Sequence, residues 1–148
     1  MGKCNLPKRQ LVKGEFMKHR KSLRVLINDD DRAVLEMLKL SVEATGDYRI
    51  VLSDCTQKSV EVVKQFKFDL VITDFNTPVM NGMDLIEEIR SFVGINHDTP
   101  IILITGDPND SIKASAESYD DVKFMRKPFK LSDFHNLIKG ILKTVYFG

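Results

Sequence analysis

The chain has little cysteine, no long apolar run and almost no net charge. Cys4 and Cys55 are its only cysteines, too few for a disulfide scaffold that 148 residues do not need. They read as free thiols of a reducing compartment, which points to a cytoplasmic location. No apolar stretch approaches the roughly 20 residues that cross a bilayer, which excludes a membrane-spanning helix. No continuous apolar segment follows the basic N-terminus, which argues against a secretory signal. Internal repeats, low-complexity tracts and a second domain are also missing. What remains, 43% hydrophobic and 29% charged, is one globular domain.

The formal charge of +1 conceals an asymmetry. Residues 1–21 carry seven Lys or Arg and one acid, Glu15, for a net +6, whereas residues 22–148 net −5. A mildly acidic domain over 22–148 thus follows a basic tail over 1–21, read as a solvated leader. Pro7 and Gly14 argue against a long helix there. Met17 offers an alternative start, because "MKHRKSLRVLI" runs directly into the domain.

The apolar pattern alternates strand and helix. "RVLIN" (24–28), "YRIVLS" (48–53), "DLVIT" (69–73), "IILIT" (101–105) and "VKFMR" (122–126) read as short buried strands. A first helix is predicted over 33–45, with Val34, Leu35, Leu38 and Val42 on one face and Gly46 ending it. A second starts at Thr56 as its cap and turns Val60, Val63 and Phe66 inward. The third spans 83–92 on Leu85, Ile86 and Ile89, and the fourth about 110–118. The last spans 132–145, with Ser132 as cap and Phe134, Leu137, Ile138, Ile141, Leu142 and Val145 inward. Near-continuous apolar strands separated by helices predict an α/β fold, a doubly wound parallel sheet covered on both faces. Function in such sheets lies outside the carboxyl ends of the strands.

Chemistry-bearing residues follow four of the five strands. Asp29, Asp30 and Asp31 come after the first, and Asp74 after the third. Thr105, Gly106 and Asp107 follow the fourth, and Lys127, Pro128 and Phe129 the fifth. Clustered carboxylates repel one another unless a cation joins them, and an all-oxygen donor set suits Mg²⁺. A metal among carboxylates, beside a Lys and a hydroxyl, can hold a phosphoryl group. An Asp there can act as the nucleophile.

At these residues the chain resembles the receiver domain of two-component response regulators, in the stand-alone form. "VLINDDDR" (25–32), "LVITDFNTPVMNGMDL" (70–85), "PIILITG" (100–106) and "FMRKPF" (124–129) carry the likeness, in order and each at a predicted strand end. The resemblance implies a flavodoxin-like (βα)5 sandwich with strand order 2-1-3-4-5. It implies that Asp74 is phosphorylated and that Asp30 binds Mg²⁺ (or Mn²⁺) directly, with Asp29 acting largely through water. Asn76 would lend a backbone carbonyl to the metal. Thr105 and Lys127 would contact the phosphoryl group, and Phe124 would be the aromatic switch. Asn76 and Asp107 would tune phosphate lifetime, and the Lys127–Pro128 bond would be cis. Asp31 keeps its reading as a helix cap. His19, His97 and His135 have no metal-ligand spacing and read as surface or loop residues.

The implied partners are a sensor histidine kinase or histidine phosphotransfer protein and an unidentified downstream protein. A phosphorylation-dependent homodimer is compatible with this. Direct DNA binding is not expected, since nothing resembles a helix-turn-helix. The resemblance makes the chain a phosphoacceptor rather than a turnover enzyme. Two other readings remain: the receiver part of a longer DNA-binding regulator, and a receiver-like module that signals by binding alone. A haloacid-dehalogenase-type phosphatase is disfavoured, because Asn76 stands where those enzymes need an acid. Four departures from the family pattern stand out: Asn28 before the acids, Thr77 before Pro78, Asn81 before Gly82, and Asp120-Asp121 before the last strand.

Overall fold

Five apolar segments of five residues each form one parallel sheet in a computed structural model that describes residues 22–91 and 93–147. The basic tail over 1–21 lies outside the described residues. In chain order the elements are β1 (Arg24–Asn28), α1 (Arg32–Glu43), β2 (Arg49–Ser53), α2 (Thr56–Gln65), β3 (Leu70–Asp74) and α3 (Gly82–Ser91), followed by β4 (Ile101–Thr105), α4 (Asp110–Glu117), β5 (Val122–Arg126) and α5 (Leu131–Phe147). The strand order is β2-β1-β3-β4-β5, and every pairing is parallel. This is the doubly wound sheet that the apolar pattern predicts, in the flavodoxin-like order that the resemblance implies.

Successive strand residues point to opposite faces, so each central strand feeds two cores. Val25, Ile27, Leu70, Ile72, Ile102 and Ile104 pack under α1 and α5, on Leu35, Leu38, Phe134, Ile138 and Leu142. Leu26, Val71, Ile101 and Leu103 pack under α2, α3 and α4, on Val60, Val63, Leu85, Ile86, Ile89 and Ile112. All five residues of β3 and of β4 are buried. Each such aliphatic side chain contributes about 1.5–3 kcal/mol. That burial fixes the strand ends, and with them the residues that follow. No helix among the described residues is long and apolar enough to cross a membrane.

Four local expectations are corrected. Cys55, not Thr56, is the N-cap of α2; Thr56 is its first residue, and its side chain is 1% exposed. Phe66 does not join the core. The helix stops at Gln65, Phe66 is extended (φ −126°, ψ 142°), and its ring is 50% exposed. The Arg24 guanidinium lies 5.8 Å from the centroid of that ring, and Phe68 fills the core instead. Gly46 does not end α1 as a left-handed residue, because the helix ends at Glu43 with Ala44 as a right-handed C-cap. Ser132 lies inside α5, which begins at Leu131. Val145 lies outside the described side chains.

At the pole where the strands begin, Asn96 closes the loop between α3 and β4. Its Nδ2 donates to the carbonyls of Val63 and Phe66, and its Oδ1 accepts from the Phe68 amide and the Thr99 hydroxyl. One buried amide therefore satisfies the end of α2 and the approach to β3 together.

Candidate functional site

The opposite pole, where the strands end, brings the chemistry-bearing residues together. β1 and β3 are adjacent and in register, Asn28 against Thr73. Asp29 and Asp74 therefore emerge side by side. Carboxylate oxygens of Asp29, Asp30 and Asp74 all lie within 4.8 Å of one another, and no second cluster of this kind exists among the described residues. Asp29 and Asp74 are buried (2% and 5% exposed) and Asp30 is exposed. Asp31 caps α1, its Oδ1 accepting from the Ala33 and Val34 amides.

Asp29 is the strained acid of the group. Its Oδ1 accepts from the Asp31 amide at 2.9 Å, while its Oδ2 is buried with no partner. Burial pushes its pKa up from 3.8 to about 6; the Asp31 amide opposes that rise and the charge of Asp74 adds to it. A buried, unpartnered carboxylate oxygen beside two further acids is a donor set for a hard divalent cation. Asp29, Asp30 and Asp74 are the residues that can hold one.

From β5, Lys127 Nζ donates to Asp74 Oδ1 at 2.9 Å. Register places Thr105 opposite Arg126, and the Lys127 amide donates to the Thr105 carbonyl at 2.8 Å. Thr105 is fully buried, and its Oγ1 accepts from the Asp107 amide at 3.0 Å. Asp107 Oδ1 accepts from the Asn109 amide, and its carbonyl accepts from Arg126 Nη1. Phe124 is half-buried against the α2–α4 core; the Arg126 guanidinium lies 5.3 Å from its ring centroid. Asn76 is exposed on the loop between β3 and α3. The Lys127–Pro128 bond is cis. Asp121 takes a positive φ of 57°, which Asp tolerates better than most residues.

The sequence reading missed a buried polar cluster directly behind the site. Asn28 Nδ2 donates to Thr56 Oγ1 and Thr73 Oγ1, each at 3.0 Å, and Asn28 Oδ1 accepts from Ser59 Oγ at 2.8 Å. Thr56 Oγ1 and Thr77 Oγ1 are 2.9 Å apart. Asn28 and Thr77 were each visible as departures from the pattern. Their connection, through Thr56, was not.

Known proteins bear on these residues as follows. The family model described as "Response regulator receiver domain" matches residues 25–139. The chain is 28% identical over 123 residues to the cell cycle transcriptional regulator CtrA of Caulobacter vibrioides, covering 82% of this chain and 51% of the regulator. It is 33% identical over 122 residues to the DNA-binding response regulator MtrA of Mycobacterium leprae, covering 81% and 51%. The chain thus spans about half the length of these curated relatives. The non-phosphorylated HemR receiver domain of Leptospira biflexa superposes with a TM-score of 0.72 at 26% identity, covering 82% of this chain and 94% of that one.

Proposed function

Because the chain belongs to the response regulator receiver domain family, we propose that Asp74 accepts a phosphoryl group from a phosphohistidine on a sensor histidine kinase or histidine phosphotransfer protein. Receiver domains are signalling modules rather than turnover enzymes. The observation that carries the reading is the convergence of Asp74, its 2.9 Å partner Lys127 and the acids Asp29 and Asp30 at one rim of the sheet.

The carboxylate oxygen of Asp74 attacks phosphorus, the P–N bond to the donor imidazole breaks, and the electron pair leaves with the imidazole. Receiver domains bind Mg²⁺ in an acidic pocket. Here Asp29, Asp30, Asp74 and the carbonyl of Asn76 would hold it, where it would neutralise carboxylate and phosphoryl charge. Mn²⁺ fits the same donors. Lys127, already paired with Asp74, follows the new negative charge onto a phosphoryl oxygen. Thr105 donates its hydroxyl proton to another, since its acceptor side is engaged by the Asp107 amide.

The acyl phosphate carries nearly two negative charges where the carboxylate carried one. Movement of Thr105 and Lys127 toward them carries the loop after β4, lets Phe124 turn inward and biases the face made by α4, β5 and α5. That face would meet the downstream protein or a second copy of the chain. Asn76 and Asp107 flank the approach of water and set the lifetime of the acyl phosphate. A cytoplasmic setting, typical of the family, goes with this role.

Intact mass after incubation with Mg²⁺ and acetyl phosphate tests the reading. One phosphoryl increment is expected, absent from Asp74→Asn and after chelation with EDTA. No increment and no beryllofluoride binding would overturn it.

A further inference from the structure

Behind the acidic pocket lies a chain of buried polar groups whose proton directions are fixed. Thr77 Oγ1 donates to the Met80 carbonyl and Thr73 Oγ1 to the Asp74 carbonyl; each hydroxyl has one proton, so both are spent there. Thr56 must then donate to Thr77, and it accepts from Asn28 Nδ2. Ser59 donates to Asn28 Oδ1. Six protons serve six contacts. Flipping the Asn28 amide would leave two of the contacts without a proton, so the orientation is determined by the network itself.

The two ends of this chain are the carbonyls of Asp74 and Met80, which bracket the loop 75–79. Within that loop the Thr77 amide donates to the Phe75 carbonyl and the Met80 amide to the Pro78 carbonyl, bonds that stay inside the loop. Among the described residues, Thr77 Oγ1 is what hydrogen-bonds residues 76–80 to another element. Val79, β-branched and at φ 69°, sits in a backbone region that its surroundings must enforce. Asn28, Thr56, Thr73 and Ser59 are all at most 1% exposed, so water does not compete for these bonds.

We propose that Asn28 and Thr77, joined through Thr56, are positioning residues that hold the loop after Asp74 in the shape used for metal and phosphoryl binding. This rests on Asp74 being the phosphoacceptor. Apolar residues at the two positions would pack, but they would leave the loop untied from β1 and α2. The network thus places β1, α2, β3 and the loop in one hydrogen-bonded unit, with Asp29 and Asp74 at its surface.

The test compares Thr77→Val, which removes the hydroxyl at constant shape, with Thr77→Ser, which keeps it, and adds Asn28→Val alone and combined with Thr77→Val. Thr77→Val is expected to weaken Mg²⁺ binding and slow phosphorylation by acetyl phosphate about three- to tenfold each, the worth of one hydrogen bond. Thr77→Ser should stay near wild type. The double variant should be no worse than the weaker single one. Equal behaviour of the Val and Ser variants, or a Thr77→Val protein with wild-type Mg²⁺ affinity and rate, overturns the proposal. Amide hydrogen exchange over 76–81 separates the two levels of the argument. Faster exchange in Thr77→Val but not in Thr77→Ser supports the tie even in a protein that takes no phosphate; unchanged exchange refutes it.

Discussion

Lys127 Nζ and Asp74 Oδ1, 53 residues apart in sequence, are joined by a 2.9 Å charge-assisted hydrogen bond that reaches across the end of β4, from the residue after β5 to the last residue of β3. Among the described residues the ammonium is the one cation paired with Asp74, the proposed acceptor. Replacing it, as in Lys127→Met, is expected to slow phosphorylation of Asp74 by about 10²-fold or more, the scale of losing one preorganised charge partner. Mg²⁺ affinity should hold or rise, because the acids are then less neutralised. Mass spectrometry over a time course and calorimetric titration with Mg²⁺ check the two parts separately.

Asp29 makes stability depend on pH in a direction opposite to most carboxylates. Its folded-state pKa of about 6 exceeds the ordinary 3.8. The protonated form therefore stabilises the fold fully below about pH 4, and that contribution is lost as pH rises through about 6. At neutral pH the ionised form costs roughly 3 kcal/mol. Asp29→Asn should accordingly melt above wild type at pH 7 without Mg²⁺, with the gap closing below about pH 4. Mg²⁺ should raise the melting temperature of wild type at pH 7 and do so less as pH falls through 6, because protons compete for the same oxygens. Thermal scans across pH, with and without the ion, decide it.

Asp107 is held by its amide on Thr105 and by the Arg126 side chain on its carbonyl. Its carboxylate accepts from the Asn109 amide through Oδ1, and on the proposed reading it stands where water would approach the phosphoryl group. Asp107→Leu is expected to slow autodephosphorylation about three- to tenfold, roughly 0.7–1.4 kcal/mol at the barrier. Decay of the phosphorylated mass after donor removal measures this, and an unchanged rate removes Asp107 from the account.

Asn96 uses all four of its hydrogen-bonding positions on buried groups far from the acids. Asn96→Ala should destabilise the fold by about 2–4 kcal/mol, since several buried partners lose their bonds at once. Mg²⁺ affinity should not change. Urea unfolding and calorimetry on the same protein test both statements.

Val79 is 88% exposed and carries a positive φ. Asn accepts that backbone more readily. Val79→Asn is expected to stabilise the fold by about 0.5–1 kcal/mol, read as a higher urea midpoint at unchanged slope.

The central strands β1, β3 and β4 were legible because they are buried on both faces and carry no competing period. β4 and β5 fall on the residues read from the sequence, and β3 is displaced by one. Helix ends were harder. α2 ends without Gly or Pro, so periodicity carried Phe66 into a core that Phe68 occupies instead. Thr56 is a good capping residue one position too late, and its hydroxyl serves the Asn28 network rather than its own helix. The residues of the acidic rim could be named from strand ends alone. The buried network could not, because its members are tens of residues apart and are ordinary polar residues until the fold brings them into contact.

Asp29 and Lys127 stand 98 residues apart, and the site takes parts from the ends of β1, β3, β4 and β5. During synthesis the acidic pair and the acceptor emerge early, while the lysine arrives only with the final strand. A nascent or clipped chain that has not yet docked β5 carries Asp74 but not its cation, and on the proposed reading takes phosphate about 10²-fold more slowly or worse. On that reading, rapid uptake of phosphate depends on the whole sheet having closed, so that a half-built receiver diverts little phosphate from the signal.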